Sequence, residues 1–280
     1  MSKESSLLEL IDTVLANDEV ILPVFDHTAL RVQQEVSKEE PNINDIEKLI
    51  NCDPALTTKV LSVANSAFYK GLEGANTIRR AILRMGVNEV ANLVILVSQR
   101  RNFHSDDPAL AKIMEQLWQH SVGCATGAHW LAKQCGFLST LHEAFTAALL
   151  HDIGKLFLLT AIGEVKKQQG PSIKIPDALI SEVLDNFHCS YGYNLMLQWN
   201  LPQIYAEVAR DHHIDNFDHK NFLLIMVRLA DKACHKLGIG FHRNPDIVLK
   251  GAPEAGLLNI SEINLAKLEI LLEDSLGLSC

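Results

Sequence analysis

Apolar residues recur three and four apart along nearly the whole chain, and no convincing run alternates apolar and polar with the period of two that a half-buried strand requires. The pattern predicts an all-α protein. Helices are expected at Ser6 to Ala16, Asp26 to Ser37, Asn44 or Asp45 to Cys52, Asp53 to about Asn65, Thr77 to Met85, and from Asn88 or Glu89 through Val97. Asp53-Pro54-Ala55 is a strong helix start, because an N-cap carboxylate accepts from free backbone N–H groups and proline at N1 has none to leave unpaired. Gln99 to Pro108 is polar, so an N-terminal helical subdomain (1–108) is expected to give way there to a second helical domain (109–280).

The second half keeps the helical period. Leu110 to Cys135 carries an apolar stripe, and the small residues from Gly123 to Ala128 permit close approach of another helix. Gly136 should end it, and Thr140-Leu141-His142-Glu143 has the spacing of a capping box. The next helix is apolar nearly all round through Phe145, Ala147, Ala148, Leu149 and Leu150; it is expected to be the buried central one and to carry His151 and Asp152 on its length. Gly163 to Pro176 reads as a polar linker. Helices at Asp177 to Asn186 and His188 to Trp199 follow, then a stripe through Ile204, Val208 and His212, and a helix from Phe222 to Leu237. Asn244 to Gly256 is loop-like, and Ser261 should cap a terminal amphipathic helix through Leu276.

Composition narrows the picture only a little. The 280 residues, 48% apolar and 21% charged, suffice for a core without disulfide or metal staples. With 34 acidic against 25 basic side chains, a net charge of −9 argues against a general nucleic-acid partner. Lys59, Lys70, Arg79, Arg80 and Arg84 flank a pairing that superficially resembles a helix-turn-helix, but they read as the solvated basic face of a small bundle. Six scattered cysteines with no Cys-x-x-Cys pair suit a reducing compartment. The start carries no signal-peptide core, and apolar runs such as Leu93 to Val97 are too short to span a bilayer, so no membrane partner and a cytoplasmic location are expected.

The chemistry stands on apolar faces. His151 and Asp152 lie side by side within Leu149 to Leu159, with Lys155 just beyond, and a buried carboxylate needs a partner, a metal or a proton. His120, His188, His212 or His213, and Asp231 likewise occupy helical positions where the pattern calls for apolar residues. Imidazole nitrogens and carboxylates are ligands that divalent first-row metals accept. Each position alone has a plainer reading: a hydrogen-bonded core histidine, Lys155 neutralising Asp152, or Asp231 paired with Arg228 or Lys232. Convergence of so many points instead to a shared site. His27, His104, His129, His142, His219, His235 and His242 show no such placement and read as surface or local.

His120, then His151-Asp152, then Asp231 resembles the H…HD…D signature of the HD superfamily of metal-dependent phosphohydrolases. Asp53-Pro54-Ala55-Leu56, Ala64-Asn65-Ser66-Ala67-Phe68-Tyr69, Ala81 to Gly86, Trp118-Gln119-His120-Ser121, Leu149 to Lys155, Trp199-Asn200-Leu201-Pro202 and Asp211-His212-His213 resemble its HDOD branch over roughly residues 15 to 240. The resemblance implies a multi-helix bundle and a role in bacterial signalling or regulation, through a signalling protein or a nucleotide ligand. It also implies a candidate metal set of His120, His151, Asp152 and Asp231 for iron, manganese, zinc or magnesium. His188, His212 and His213 resemble the additional histidines of HD-GYP phosphodiesterases and are candidates for a second metal. In the alternative, hydrolysis of a nucleotide or cyclic dinucleotide, Lys155 would offset phosphate charge and His188 would act as a catalytic group. The Gly-Tyr-Pro stretch that names the HD-GYP branch is absent after Lys155.

Overall fold

A computed structural model describes residues 3–15, 26–66, 69, 74–170 and 175–276; among these there is no strand, and the protein is all-α. Lys70, Ala67, Phe68, Pro171 and the end of the first expected helix at Ala16 lie outside the described residues. Contacts divide the chain into two units, one of residues 24–102 and one that joins the first helix to residues 103–280. That first helix, α1 (Lys3–Leu15), buries Leu7, Ile11 and Val14.

Residues 24–102 hold α2 (His27–Val36), α3 (Ile43–Asn51), α4 (Pro54–Ala64), α5 (Ile78–Met85) and α6 (Val87–Arg100). Caps set their starts. Asp53 Oδ1 accepts from Ala55 N at 2.9 Å and Leu56 N at 3.0 Å, the arrangement expected from Asp-Pro. Helix α3 is capped by Asn42, two or three residues before the expected Asn44 or Asp45, because the Asn42 carboxamide accepts from Asn44 N at 3.0 Å. Gly86, at φ 93°, turns the chain 115° between α5 and α6, which a residue with Cβ would resist. Asn65 then ties the segment after α4 back on itself: its carboxamide accepts from Ala75 N and donates to Ala75 O, both at 2.8 Å. Arg84 donates to Ala64 O at 2.9 Å and Arg79 pairs with Glu47 at 3.1 Å, so both arginines have partners within this unit.

In the other unit, Asp107 caps α7 (Pro108–Gln134) with bonds to Ala109 N and Leu110 N. Next come α8 (Leu141–Leu150), α9 (Ile153–Gln169), α10 (Asp177–Gln198), α11 (Gln203–Asp211), α12 (Phe222–Leu237), α13 (Pro253–Leu257) and α14 (Glu262–Leu276). Four expectations are corrected here. The capping box at Thr140 is not made: a 3-10 turn at Leu138–Thr140 intervenes, and the Thr140 hydroxyl donates to Phe137 O. Gly163 lies inside α9, which extends to Gln169, so the linker begins only at Gly170. Asp177 to Gln198 is one helix of 22 residues, since nothing between Asn186 and His188 breaks the backbone ladder. Pro253–Leu257 is helical where a loop was expected.

The fourth helix of this unit and its predecessor are the core. The stretch Leu138–Gln169 is long and apolar enough to cross a membrane by length and composition, and 89% of its most apolar window is buried inside the protein. Burial of that order is how a central helix of a folded unit passes such a test. Glycines set the spacing of its neighbours. A Cβ on Gly154 would stand 2.0 Å from the His188 carbonyl oxygen, and one on Gly127 would stand 3.1 Å from Ala230 Cβ. These close crossings draw α10 onto α9 and α12 onto α7.

Candidate metal centre

His151 and Asp152 stand at the break between α8 and α9 and not within one helix, as the sequence pattern suggested. His151 keeps helical dihedrals, whereas Asp152 moves to φ −100° and ψ 15°. Neighbours on an unbroken helix point about 100° apart. The break lets both side chains serve one space, with His151 Nε2 3.5 Å from Asp152 Oδ2. Helix α7 brings His120 there, α10 brings His188, the end of α11 brings His212, and α12 brings Asp231; all six residues are at most 5% exposed.

Backbone carbonyls orient the four imidazoles. Nδ1 of His120 contacts Ile239 O at 3.1 Å, that of His151 Ala148 O at 2.6 Å, that of His188 Leu184 O at 2.7 Å, and that of His212 Ala209 O at 2.9 Å. A carbonyl oxygen only accepts, so each Nδ1 carries a proton and donates it, and each ring turns its Nε2 to the interior. The Ile239 carbonyl is delivered by a turn with Gly238 at φ 75° and Gly240 at φ 111°, where the Gly240 position is packed against the His120 ring.

Asp152 sits between two groups of ring nitrogens. Its Oδ1 lies 3.4 Å from His188 Nε2 and 3.5 Å from His212 Nε2; its Oδ2 lies 3.5 Å from His120 Nε2 and 2.8 Å from Lys155 Nζ, which donates to it. Asp231 Oδ1 lies 3.2 Å from His120 Nε2 and 3.9 Å from His151 Nε2. The Nε2 atoms of His188 and His212 face each other at 3.3 Å. Asp152 Oδ1 and His151 Nε2 have no hydrogen-bond partner among the described residues. Exposed His213 stands beside this group, its ring centroid 4.0 Å from that of His212.

Electrostatics follow the geometry. Burial lowers the His151 pKa to about 4 and that of His188 to about 3, so both rings stay neutral. Burial acts the same way on His120, but the hydrogen bond and charge of Asp231 outweigh it and raise the value to about 9. Burial pushes both aspartates up; Lys155 and His151 draw Asp152 well below the usual carboxylate range, and His235 and His120 do so for Asp231.

The donor set fits a divalent cation. Two opposed lone pairs and two orphaned buried acceptors are unfavourable as they stand, and cations held in the two groups they belong to would satisfy them. His120, His151 and Asp231 form one ligand group, and Asp152, His188, His212 and His213 another, with the ligand atoms of each within 4.8 Å of one another. All seven metal candidates from the sequence therefore come together, and Lys155 meets Asp152.

Three participants were missed. His235 was read as surface or local, yet its ring stacks on His120 at 5.1 Å and its Nε2 lies 3.6 Å from Asp231 Oδ1. Its spacing of four residues from Asp231 on α12 was the available signal. Cys124, four residues after His120, places Sγ 3.5 Å from His120 Nε2. Arg228 does not pair with Asp231 but with buried Glu254 at 2.7 Å, and donates to His212 O at 2.7 Å and Ile214 O at 2.8 Å. It thus anchors the end of α11 that carries His212. No local pattern marks Glu254, because α13 reaches Arg228 only through the fold.

A helical protein whose buried His-Asp pair gathers further histidines and an aspartate is of the HD type in architecture. Comparison with known proteins sharpens this: the HDOD domain model matches residues 22–214, and the chain belongs to the HDOD family. An uncharacterised protein of Treponema pallidum (strain Nichols) is 26% identical over 199 residues, 69% of this chain; the chain spans 37% of that relative's length. An HDOD domain protein of unknown function from Geobacter sulfurreducens has a similar structure, with a TM-score of 0.74 at 23% identity, covering 99% of this chain and 97% of that one. A Shewanella amazonensis SB2B protein provisionally named a metal-dependent phosphohydrolase superposes with a TM-score of 0.69 at 19% identity, covering 98% and 99%. At these identities the two structures establish the fold.

Proposed function

We propose that this HDOD protein is a regulatory or signalling component that binds divalent metal in the cluster of His120, His151, Asp152, His188, His212, His213 and Asp231. One observation carries the reading: four buried imidazoles commit Nδ1 to backbone carbonyls and turn Nε2 toward the same two carboxylates. A structural hydrogen-bond network would interleave donors with acceptors, whereas His188 and His212 Nε2 facing each other, beside an unpartnered Asp152 Oδ1 and an unpartnered His151 Nε2, suit a cation. The provisional naming of the Shewanella protein agrees with this chemistry. Metal occupancy would set the packing of α7, α10, α11 and α12 around the α8–α9 break. That packing would in turn govern binding of a signalling protein or a nucleotide.

Elemental analysis of protein purified without chelator or a histidine tag tests the reading, together with His151→Ala and Asp231→Ala. One or two equivalents of iron, manganese or zinc, lost in both variants without a collapse in melting temperature, is the expected result. No bound metal after reconstitution would refute the metal centre. A second reading, metal-dependent phosphoester hydrolysis, draws support from the cation of Lys155 at 2.8 Å from Asp152 and from exposed His213 at the edge of the cluster. Phosphate release from nucleotides, or ring opening of cyclic dinucleotides to the linear dinucleotide, by metal-loaded protein, abolished in Lys155→Met, would establish it. A silent screen with a fully metallated protein leaves the regulatory reading standing alone.

A further inference from the structure

We propose that Cys124 is itself a metal ligand, so that the His120, His151 and Asp231 position is a thiolate-bearing site that favours zinc over magnesium. The inference rests on the metal centre proposed above. Cys124 follows His120 by one helical turn of α7, a spacing that places both on one flank, and its thiol is fully buried with Sγ 3.5 Å from His120 Nε2. Together with His120, His151 and Asp231 it forms a set of four ligand atoms lying within 4.8 Å of one another.

Two of the donor separations come close to the edges of a tetrahedron. Bonds of about 2.0–2.1 Å to nitrogen or oxygen place two such donors about 3.3–3.4 Å apart at the tetrahedral angle, and a bond of about 2.3 Å to sulfur stretches a nitrogen–sulfur edge to about 3.6 Å. The observed edges are 3.2 Å between His120 Nε2 and Asp231 Oδ1, 3.5 Å to Cys124 Sγ and 3.9 Å between His151 Nε2 and Asp231 Oδ1. His151 Nε2, wholly buried and unpartnered, points into the same space. The rival fourth donor, Asp152 Oδ2, is already held by Lys155 at 2.8 Å.

Charge supports the assignment. A dication with the Asp231 carboxylate and a Cys124 thiolate sums to zero, the state that burial favours. Neutral Cys124 would leave a net positive charge in the interior. Binding forms the sulfur–metal bond, breaks S–H, and releases that proton to the buffer. Thiolate is a soft ligand, which magnesium avoids and zinc or cobalt accept. Cys189, with Sγ 3.3 Å from His188 Nε2, serves as an internal control, whereas Cys234 hydrogen-bonds Cys124 itself.

The test is cobalt(II) titration of the metal-free full chain, read by thiolate-to-cobalt charge-transfer absorption in the near ultraviolet. The band should appear in the parent protein and in Cys189→Ser. It should vanish in Cys124→Ser and in Cys124→Ala, the latter avoiding a buried hydroxyl, while far-ultraviolet circular dichroism shows both folded. Zinc affinity should fall by more than about tenfold, the lower limit seen when even outer contacts to a ligand are lost. Cobalt uptake without the band, or a band that survives Cys124→Ala, would overturn the role of Cys124 and leave the metal centre intact. A parent protein that takes up no cobalt would overturn both.

Discussion

Asn65 and Asp152 meet the demand for hydrogen-bond partners in opposite ways. In residues 24–102, the Asn65 carboxamide donates to Leu61 O and Ala75 O and accepts from Ala75 N and Arg84, so donors meet acceptors throughout. At the α8–α9 break, Asp152 faces His188 and His212 nitrogens whose protons are spent elsewhere, and its Oδ1 is left without a hydrogen bond. Asn65, itself exposed, is satisfied by protein groups, whereas Asp152 has lost water without replacing it at Oδ1. The difference separates polar residues that close the backbone from those arranged for something the chain does not itself contain.

The largest break in that comparison is Asp152→Ala. It leaves the Lys155 ammonium buried without its counter-ion, and uncompensated buried charge is worth about 3–5 kcal/mol of destabilisation. Denaturant unfolding should show a loss of that size, and elemental analysis should show the second metal position emptied. A variant as stable as the parent would mean that Lys155 reaches solvent.

Acid should distinguish the regions next. In metal-free protein His151 and His188 titrate at about 4 and about 3, below the ordinary 6.5, so between pH 6.5 and 4 the unfolded chain binds more protons. Stability therefore falls as pH falls through that window. His120, raised to about 9, acts oppositely: its contribution is complete below pH 6.5 and is lost as pH rises toward 9. A melting-temperature profile of metal-free protein should peak near pH 6.5 and drop by roughly 5–10 °C at pH 5. A flat acid limb would show that these rings are charged or hydrated when folded.

Asn65→Ala should cost about 1–3 kcal/mol through the unsatisfied Ala75 groups while leaving metal content unchanged. Lost metal in that variant would mean the two regions are coupled. Asp53→Ala is the smallest test, removing an N-cap worth about 1 kcal/mol with no effect on metal.

Much of this division was legible before any coordinates. Asp53 caps where Asp-Pro announces a cap, and the His-Asp pair stood out because ionisable groups on apolar faces need a reason. Where the reading failed, a tertiary contact had prevailed over a local signal. Thr140 has the residue type and spacing of a capping box, but the 3-10 turn before it moved its hydroxyl to Phe137 O. His188 looked like a helix start, yet α10 passes straight through it, drawn against α9 where Gly154 leaves room for its carbonyl. His235 was dismissed because its partners His120 and Asp231 meet only when α7 and α12 pack together.

The residue pattern alone determined the all-helical class, most helix starts and the polar residues that gather at the centre, because periodicity, caps and the desolvation of charge are local properties that can be read one position at a time. The fold decided which nitrogen of each histidine faces inward, that the chain breaks between His151 and Asp152, and that Cys124 lies among the donors. His151, His188 and His212 find their carbonyls within one turn of their own chain, but only packing brings their rings together, and His120 depends on Ile239, 119 residues away.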